Sequence, residues 1–123
     1  MINELFKAII DEDRAPIVIC DTNHIIVYMN PAALKNYERH GGAKLVQKSI
    51  LDCHNDKSVQ AIKTVVKAFE QNDRLDRVFT FHNEKQNKDV YMVALRDKNR
   101  KLLGYYEKHE FRNPETCERY KLD

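Results

Sequence analysis

Glycine is scarce in this chain, and its scarcity excludes one large class of function. The 123 residues include three glycines: Gly41, Gly42 and Gly104. A loop that cradles phosphate groups needs several glycines at short spacing, so nucleotide binding through such a loop is excluded. The sequence also has no G-x-S-x-G motif and no other pattern that activates a nucleophile. We therefore do not expect an enzyme.

Cysteine pairs and long apolar runs are absent as well. The chain has no C-x-x-C spacing, and its three cysteines lie far apart: Cys20, Cys53 and Cys117. This pattern argues against both a disulfide framework and a zinc site. No apolar run approaches the ~18 residues of a membrane span, and the N-terminus lacks the pattern of a signal peptide. These absences predict a cytoplasmic protein with reduced thiols and no membrane contact.

Neither sign of charge dominates. The 21 basic and 19 acidic residues are intermixed along the chain and give a net charge of +2. A nucleic-acid-binding domain instead concentrates basic side chains on one face. We therefore expect no nucleic-acid partner.

What the sequence does contain is strand-forming segments at both ends. Residues 77–82, 89–96 and 101–111 are rich in β-branched and aromatic side chains and are separated by polar turns. Two shorter segments, residues 16–21 and 24–29, flank a turn at Asp21-Thr22-Asn23. The sequence therefore predicts three strands late in the chain and two near its start.

Helical patterns fill the remaining segments. Residues 2–12 form an amphipathic pattern, whose apolar face would cover either the outer face of the sheet or the same helix of a second copy. Asn30-Pro31 predicts a helix over residues 32–39 that stops at Gly41-Gly42. The longest helix is predicted over residues 56–71, capped by Asn55 or Asp56.

The order of these elements, together with short motifs, resembles the PAS family of sensor domains. Residues 25–33 (IIVYMNPAA) are similar to a strand of that family followed by its helix start, and residues 103–107 (LGYYE) are similar to its last strand. Residues 49–54 (SILDCH) and 57–59 (KSV) are similar to a bacterial subgroup often fused to hemerythrin-like domains. The resemblance covers about residues 14–112, leaving residues 1–13 as an N-terminal amphipathic helix and 113–123 as a polar tail.

The resemblance implies an α+β fold with a five-stranded antiparallel sheet in the order 2-1-5-4-3. Helices on one face of that sheet would cup a small molecule. PAS domains bind haem, flavins, organic acids or fatty acids, and many serve as dimerisation or signalling modules without a known ligand. The resemblance therefore leaves the cofactor open.

His54 is the first candidate for a ligand-binding role, because it precedes the cap of the longest predicted helix. The resemblance places that position at the cavity mouth, where His54 would be the axial metal ligand only if haem is bound. The alternative is that His54 hydrogen-bonds the helix start or a loop carbonyl. Flavin photochemistry is disfavoured, since Ile50 stands where the light-sensing branch has its adduct-forming Cys.

Strand parity gives the remaining candidates. Along residues 89–96, Met92 and Ala94 share one face, and we expect them to line the cavity because small and flexible side chains leave room for a ligand. The matching choice on the last strand is Gly104 and Tyr106. Further lining candidates come from other strands: Tyr28 and Phe81. A filled core without a cavity is the alternative.

Two hypotheses follow for the function. In the first, the chain is a cytoplasmic sensor that binds a small, mainly apolar ligand, most specifically haem or a fatty acid. It would form a homodimer through its N-terminal helix and bias a signalling partner. In the second, it is a ligand-free module for protein–protein interaction.

Overall fold

The computed structural model describes all 123 residues and contains a five-stranded antiparallel sheet with helices on one face. The strands are β1 (Val18–Asp21), β2 (Ile26–Met29), β3 (Arg77–Asn83), β4 (Lys88–Arg96) and β5 (Leu102–Phe111). Their order in the sheet is β2-β1-β5-β4-β3, and every neighbouring pair is antiparallel. The predicted fold class and strand order are confirmed.

Three α-helices and three 3₁₀ helices complete the chain. The α-helices are α1 (Ile2–Glu12), α2 (Pro31–Asn36) and α3 (Asp56–Gln71). The 3₁₀ helices, Glu38–His40, Gly42–Leu45 and Ile50–Cys53, fill the segment between α2 and α3. The Asn55 side chain accepts a hydrogen bond from the Ser58 amide at 2.8 Å and caps α3. None of these helices is both long enough and apolar enough to cross a membrane.

α2 is shorter than the predicted helix over residues 32–39. It ends at Asn36, since the carbonyl of the next residue, Tyr37, does not accept from the amide of Gly41, as an α-helix would require. This carbonyl instead accepts from the amide of His40, three residues on, and from that of Gly42. The α-helical ladder therefore gives way to tighter 3₁₀ turns. Gly41 then reverses the chain with φ of +118°, which glycine adopts without steric cost.

Asn30 joins three segments at the start of α2. Its side chain is fully buried, and its oxygen accepts from the amides of Ile17 and Ala33. Its nitrogen donates to the carbonyls of Ile10 and Ala15, each at 3.0 Å. Because Ile17 is bonded to Asn30, β1 begins at Val18 and not at residue 16 as predicted.

The hydrophobic core lies between the inner face of the sheet and α3. Val66 and Phe69 of α3 are buried, and Met92 and Tyr105 of β4 and β5 are buried within the same cluster. Inner and outer positions alternate strictly along β4, where Val90 is completely buried. The helical segments thus cover one face of the sheet, which leaves the other face to α1 and to solvent-exposed ion pairs.

Candidate functional site

A small cavity lies between the inner face of the sheet and the helical segments. Its volume is about 30 Å³, room for roughly two water molecules. The lining combines apolar walls with five side chains that carry polar groups. The ten lining residues are Pro16, Val18, Tyr37, Ile50, His54, Ile62, Met92, Tyr105, Glu107 and His109.

Two of the six residues nominated from the sequence line this cavity. His54 reaches it from the end of the last 3₁₀ helix, and Met92 reaches it from β4. Ala94 lies on the same buried face of β4 as Met92 but outside the lining. The structure therefore places three nominated residues on the inner side of the sheet.

Neither Tyr106 nor Tyr28 lines this cavity, contrary to the expectation from the sequence. Tyr105 pairs with Ala94 on the inner face, and Tyr106 pairs with Val93 on the outer one. Tyr28 also faces outward, where its hydroxyl donates to the Asp11 carboxylate of α1. In both cases the neighbouring residue occupies the inner position, because a shift of one residue reverses the face of a strand.

Gly104 and Phe81, which were also expected to line the cavity, lie outside it. Gly104 does not leave room for a ligand: a Cβ atom at this position would lie 2.2 Å from the carbonyl oxygen of Cys20, so the glycine permits close approach of β1. Phe81 pairs with Val90 beyond a bulge in β3 and is 48% exposed, outside the cavity.

His54 is held in one ring orientation by its own 3₁₀ helix. Its Nδ1 lies 2.9 Å from the carbonyl oxygen of Ile50. A carbonyl oxygen only accepts hydrogen bonds, so Nδ1 carries the proton. In the neutral imidazole, Nε2 is therefore the basic nitrogen.

Glu107 and His109 form a polar pair that was not among the residues nominated from the sequence. The His109 side chain is only 9% exposed, and its Nε2 lies 3.1 Å from Oε1 of Glu107. Nδ1 is buried and has no hydrogen-bond partner within the protein. The alternation of Tyr105, Glu107 and His109 along β5 was the available signal, since residues two apart on a strand share a face.

The two tyrosines of the lining keep their protons. Burial, helped by the charge of Glu107, raises the pKa of Tyr37 to about 12. Burial also raises the pKa of Tyr105, whose hydroxyl lies 2.8 Å from Nδ1 of His24. Both phenols are therefore neutral hydroxyls at physiological pH.

Haem, a cofactor that the PAS resemblance implies, does not fit this cavity. The orientation of His54 is suitable, because axial and metal-binding histidines commonly donate their second ring nitrogen to a carbonyl. Pockets for drug-sized ligands measure about 300–1,000 Å³, whereas this cavity measures about 30 Å³. No three His, Cys, Asp or Glu side chains converge to hold a free metal ion. Cys53 is not activated either, since burial raises the pKa of its thiol.

The sheet order and the enclosed inner face define a class of small domains that bury a cavity between an antiparallel sheet and short helices. A sequence model of the PAS domain matches residues 6–109, most of the chain. The chain belongs to the PAS domain family. No curated protein matches it.

Solved structures share this fold at low sequence identity. The C-terminal domain of a Streptococcus mutans protein is 24% identical with a TM-score of 0.67, covering 89% of this chain and 84% of that one. The PAS domain of BvgS from Bordetella pertussis is 15% identical with a TM-score of 0.64, covering 91% and 87%. The Aer2 receptor from Vibrio cholerae, described as a dual PAS-haem oxygen sensor, is 22% identical with a TM-score of 0.50, covering 76% and 90%. These likenesses support the fold alone.

Proposed function

We propose that this PAS signalling domain dimerises through α1 and that occupancy of its inner cavity by a small molecule is the signal it transmits. The proposal rests on one observation above all, the unpartnered apolar face of α1. The helix has no buried residue, although four of its large apolar side chains share one face and are more than half exposed: Ile2, Leu5, Phe6 and Ile9.

A second copy of α1 is the occupant that suits this face. Fully burying a large apolar side chain contributes about 1.5–3 kcal/mol. A two-fold interface buries the same side chain of both copies, so each residue contributes to the stability of the dimer from both subunits. The helix also has a charged side, where Lys7 and Asp11 form an ion pair at 2.6 Å next to Tyr28. The apolar face therefore points away from the sheet and is available to a partner helix.

The end of α1 is connected to the cavity through β1. Asn30 binds the carbonyl of Ile10 in α1 and the amide of Ile17 next to β1. Ile17 lies between Pro16 and Val18, both of which line the cavity. A molecule that moves this segment would therefore change the position of α1. The bound molecule shifts the equilibrium between two arrangements of the dimer only if it binds one arrangement more tightly than the other.

The volume of the cavity restricts the ligand. Haem and a fatty acid, the ligands expected from the resemblance, are both far larger than about 30 Å³. The proposal therefore favours a molecule of a few atoms. The ligand-free interaction module is the second candidate, favoured by the same small volume. Native mass spectrometry separates the two, because a retained small molecule is released on denaturation.

Sedimentation equilibrium of the Phe6→Glu variant tests the dimer. Phe6 is 56% exposed on the apolar face, and a glutamate there places two like charges at a two-fold interface. We expect the dimer to weaken by at least about 100-fold, which corresponds to about 2.7 kcal/mol. Phe79→Glu is the matched control, because Phe79 is 59% exposed on β3, away from α1. Equal weakening by both variants, or a wild-type chain that stays monomeric at its solubility limit, contradicts the proposal.

A further inference from the structure

The polar groups of the cavity offer hydrogen-bond acceptors. Because Nδ1 of His54 donates to the Ile50 carbonyl, the lone pair of the neutral ring is on Nε2. His109 has the opposite arrangement. Its Nε2 lies 3.1 Å from Oε1 of Glu107, and a carboxylate oxygen cannot donate a proton, so we place the proton of the neutral ring on Nε2 and its lone pair on the buried, unpartnered Nδ1. Both residues line the cavity, and each neutral ring keeps one basic nitrogen without a partner in the protein.

Glu107 sets the sign of charge in this cavity. It is the only lining residue that is a carboxylic acid, and no lysine or arginine lines the cavity. Lys88 is buried on the same face of the sheet but lies beyond the lining; burial lowers the pKa of Lys88, and the charge of Glu107 partly offsets this effect. A carboxylate ligand would meet another carboxylate here, and a cation would meet its counter-charge.

The remaining lining is apolar and close to the polar groups. Val18, Ile50, Ile62 and Met92 supply aliphatic surface, and the volume of about 30 Å³ admits a few non-hydrogen atoms. A fitting ligand therefore has one strongly donating head and a short alkyl group. An ammonium group donates up to three hydrogen bonds and accepts none, which complements a set of acceptors.

We propose that the cavity binds a small protonated primary amine whose ammonium group donates to His109 Nδ1 and His54 Nε2 beside the Glu107 carboxylate. This inference rests on the proposed function, because it names the chemical class of the molecule that occupies the cavity. The short alkyl group lies against the aliphatic walls. The binding consumes no reagent and forms no covalent bond.

Nuclear magnetic resonance titration of the full chain with ethylammonium chloride tests the inference. Spectra of the imidazole nitrogens of ¹⁵N-labelled protein report the protonation and hydrogen bonding of His109 and His54 directly. We expect saturable shifts of both rings with a Kd of about a millimolar, the range that a three-atom ligand can reach. Ethanol, which has the same size without the charge, is expected to bind at least tenfold more weakly. Sodium acetate is expected not to bind.

Variants separate recognition from folding. Glu107→Gln should weaken ethylammonium binding at least tenfold, and His109→Phe should abolish it. His109→Asn places an amide oxygen near the position of Nδ1 and should retain binding, which a purely structural role for His109 does not predict. Glu118→Gln, an identical charge change in the exposed tail, is the control and should leave the Kd unchanged.

The possible failures are distinguishable. Saturable binding of acetate through the same imidazole shifts, or ethylammonium binding unaffected by Glu107→Gln, overturns the amine inference but leaves a ligand-occupied cavity in place. If none of the three probes shifts His109 or His54 and native mass spectrometry finds no retained molecule, both the inference and the proposed sensing role fail.

Discussion

Arg96 holds the end of α3 against the sheet with a single guanidinium group. One of its nitrogens, Nη2, donates to the carbonyls of Phe69, Asn72 and Leu75 at 2.8–3.0 Å. Its Nε donates to Asp76 at 2.9 Å, and the side chain is only 4% exposed. These carbonyls belong to the last turn of α3 and the loop behind it, where helical hydrogen bonds run out. Arg96 therefore acts as a C-terminal cap supplied by β4.

Replacing this cap should be costly. We expect Arg96→Ala to lower the free energy of unfolding by about 3 kcal/mol, because it removes charged hydrogen bonds and leaves the partly buried carbonyls of Phe69 and Leu75 unpaired. Arg96→Lys should recover only part of the loss, since an ammonium lacks the planar fork. Urea denaturation monitored by circular dichroism measures the change.

The control for this prediction is Arg100→Ala. Arg100 binds the Asp73 carbonyl and the same Asp76, but its side chain is 46% exposed, so its loss should be much smaller. Equal losses for the two variants would show that Arg96 gains nothing from its burial.

At the residue scale, the sequence predicts features that depend on local chemistry and misses those that depend on strand parity. Asn55 was one of two predicted caps of α3, because an Asn side chain before a helix satisfies free amides wherever the helix packs. No local pattern places His109 inside, since both faces of β5 carry polar and aromatic side chains. Which face lies inside depends on pairing with β1 and β4, which no local pattern encodes.

At the scale of elements, the junction between β1 and β5 depends on one glycine. Gly104 pairs with Asp21, and the space where its Cβ would lie is occupied by the backbone of Cys20. Backbone atoms cannot move aside as a flexible side chain does. This contact joins the strands from the start of the chain to those from its end.

Gly104→Ala should therefore separate these strands. We expect a loss of about 3 kcal/mol or more in the free energy of unfolding, because the new methyl group displaces backbone atoms. Hydrogen exchange should also show faster exchange of the β1 amides at Ile19 and Cys20. Gly42→Ala is the comparison: its Cβ would meet the Leu34 carbonyl oxygen at 3.7 Å, an ordinary van der Waals contact, and its φ of +53° would cost about 1–2 kcal/mol. Unchanged β1 protection in Gly104→Ala would contradict this account.

The sequence predicts the elements well where periodicity is long. α1 and α3 have the predicted ranges, and β3, β4 and β5 agree within one residue. The sequence does not predict the three 3₁₀ helices between α2 and α3, since each is only three or four residues long and shows no periodic pattern. The cavity lies against this segment, so the least predictable part of the fold forms one wall of the candidate site.

At the scale of the whole molecule, surface carboxylates make stability depend on pH. Hydrogen bonds from arginines hold the pKa of three carboxyl groups below their usual values of 3.8 for Asp and 4.5 for Glu. Arg100 lowers the pKa of Asp76, and Arg112 lowers the pKa of Asp89. Arg77 lowers the pKa of Glu110. Neighbouring groups make smaller contributions in each case. Such groups stabilise the folded state above the pKa of the unfolded chain, and this stabilisation is lost as the pH falls through the lower folded pKa.

Two declines in melting temperature are therefore expected on acidification. Below about pH 4, protonation of these carboxylates removes their ion pairs, and high salt should reduce this decline because the pairs are exposed. An earlier decline should begin near pH 6.5, since burial lowers the pKa of His24 from 6.5 and the unfolded chain binds the proton first.

The His24→Asn variant separates the two declines. His24 has a φ of +68°, which Asn tolerates, and an Asn side chain can still bond the Tyr105 hydroxyl. We expect this variant to lose the earlier decline and keep the later one. Calorimetry from pH 7 to pH 3 measures both, and a wild-type melting temperature that stays constant across this range contradicts the prediction.

The central position of β5 also has a consequence for synthesis. β1 emerges from the ribosome early, yet its partner β5 is the last strand of the domain to be made. Until then the nascent chain can form only two separate hairpins, β1 with β2 and β3 with β4, and the apolar residues of α3 have no finished sheet to cover. The sheet can therefore close only after β5 has left the exit tunnel, and chaperones have their longest opportunity to bind this domain before that point.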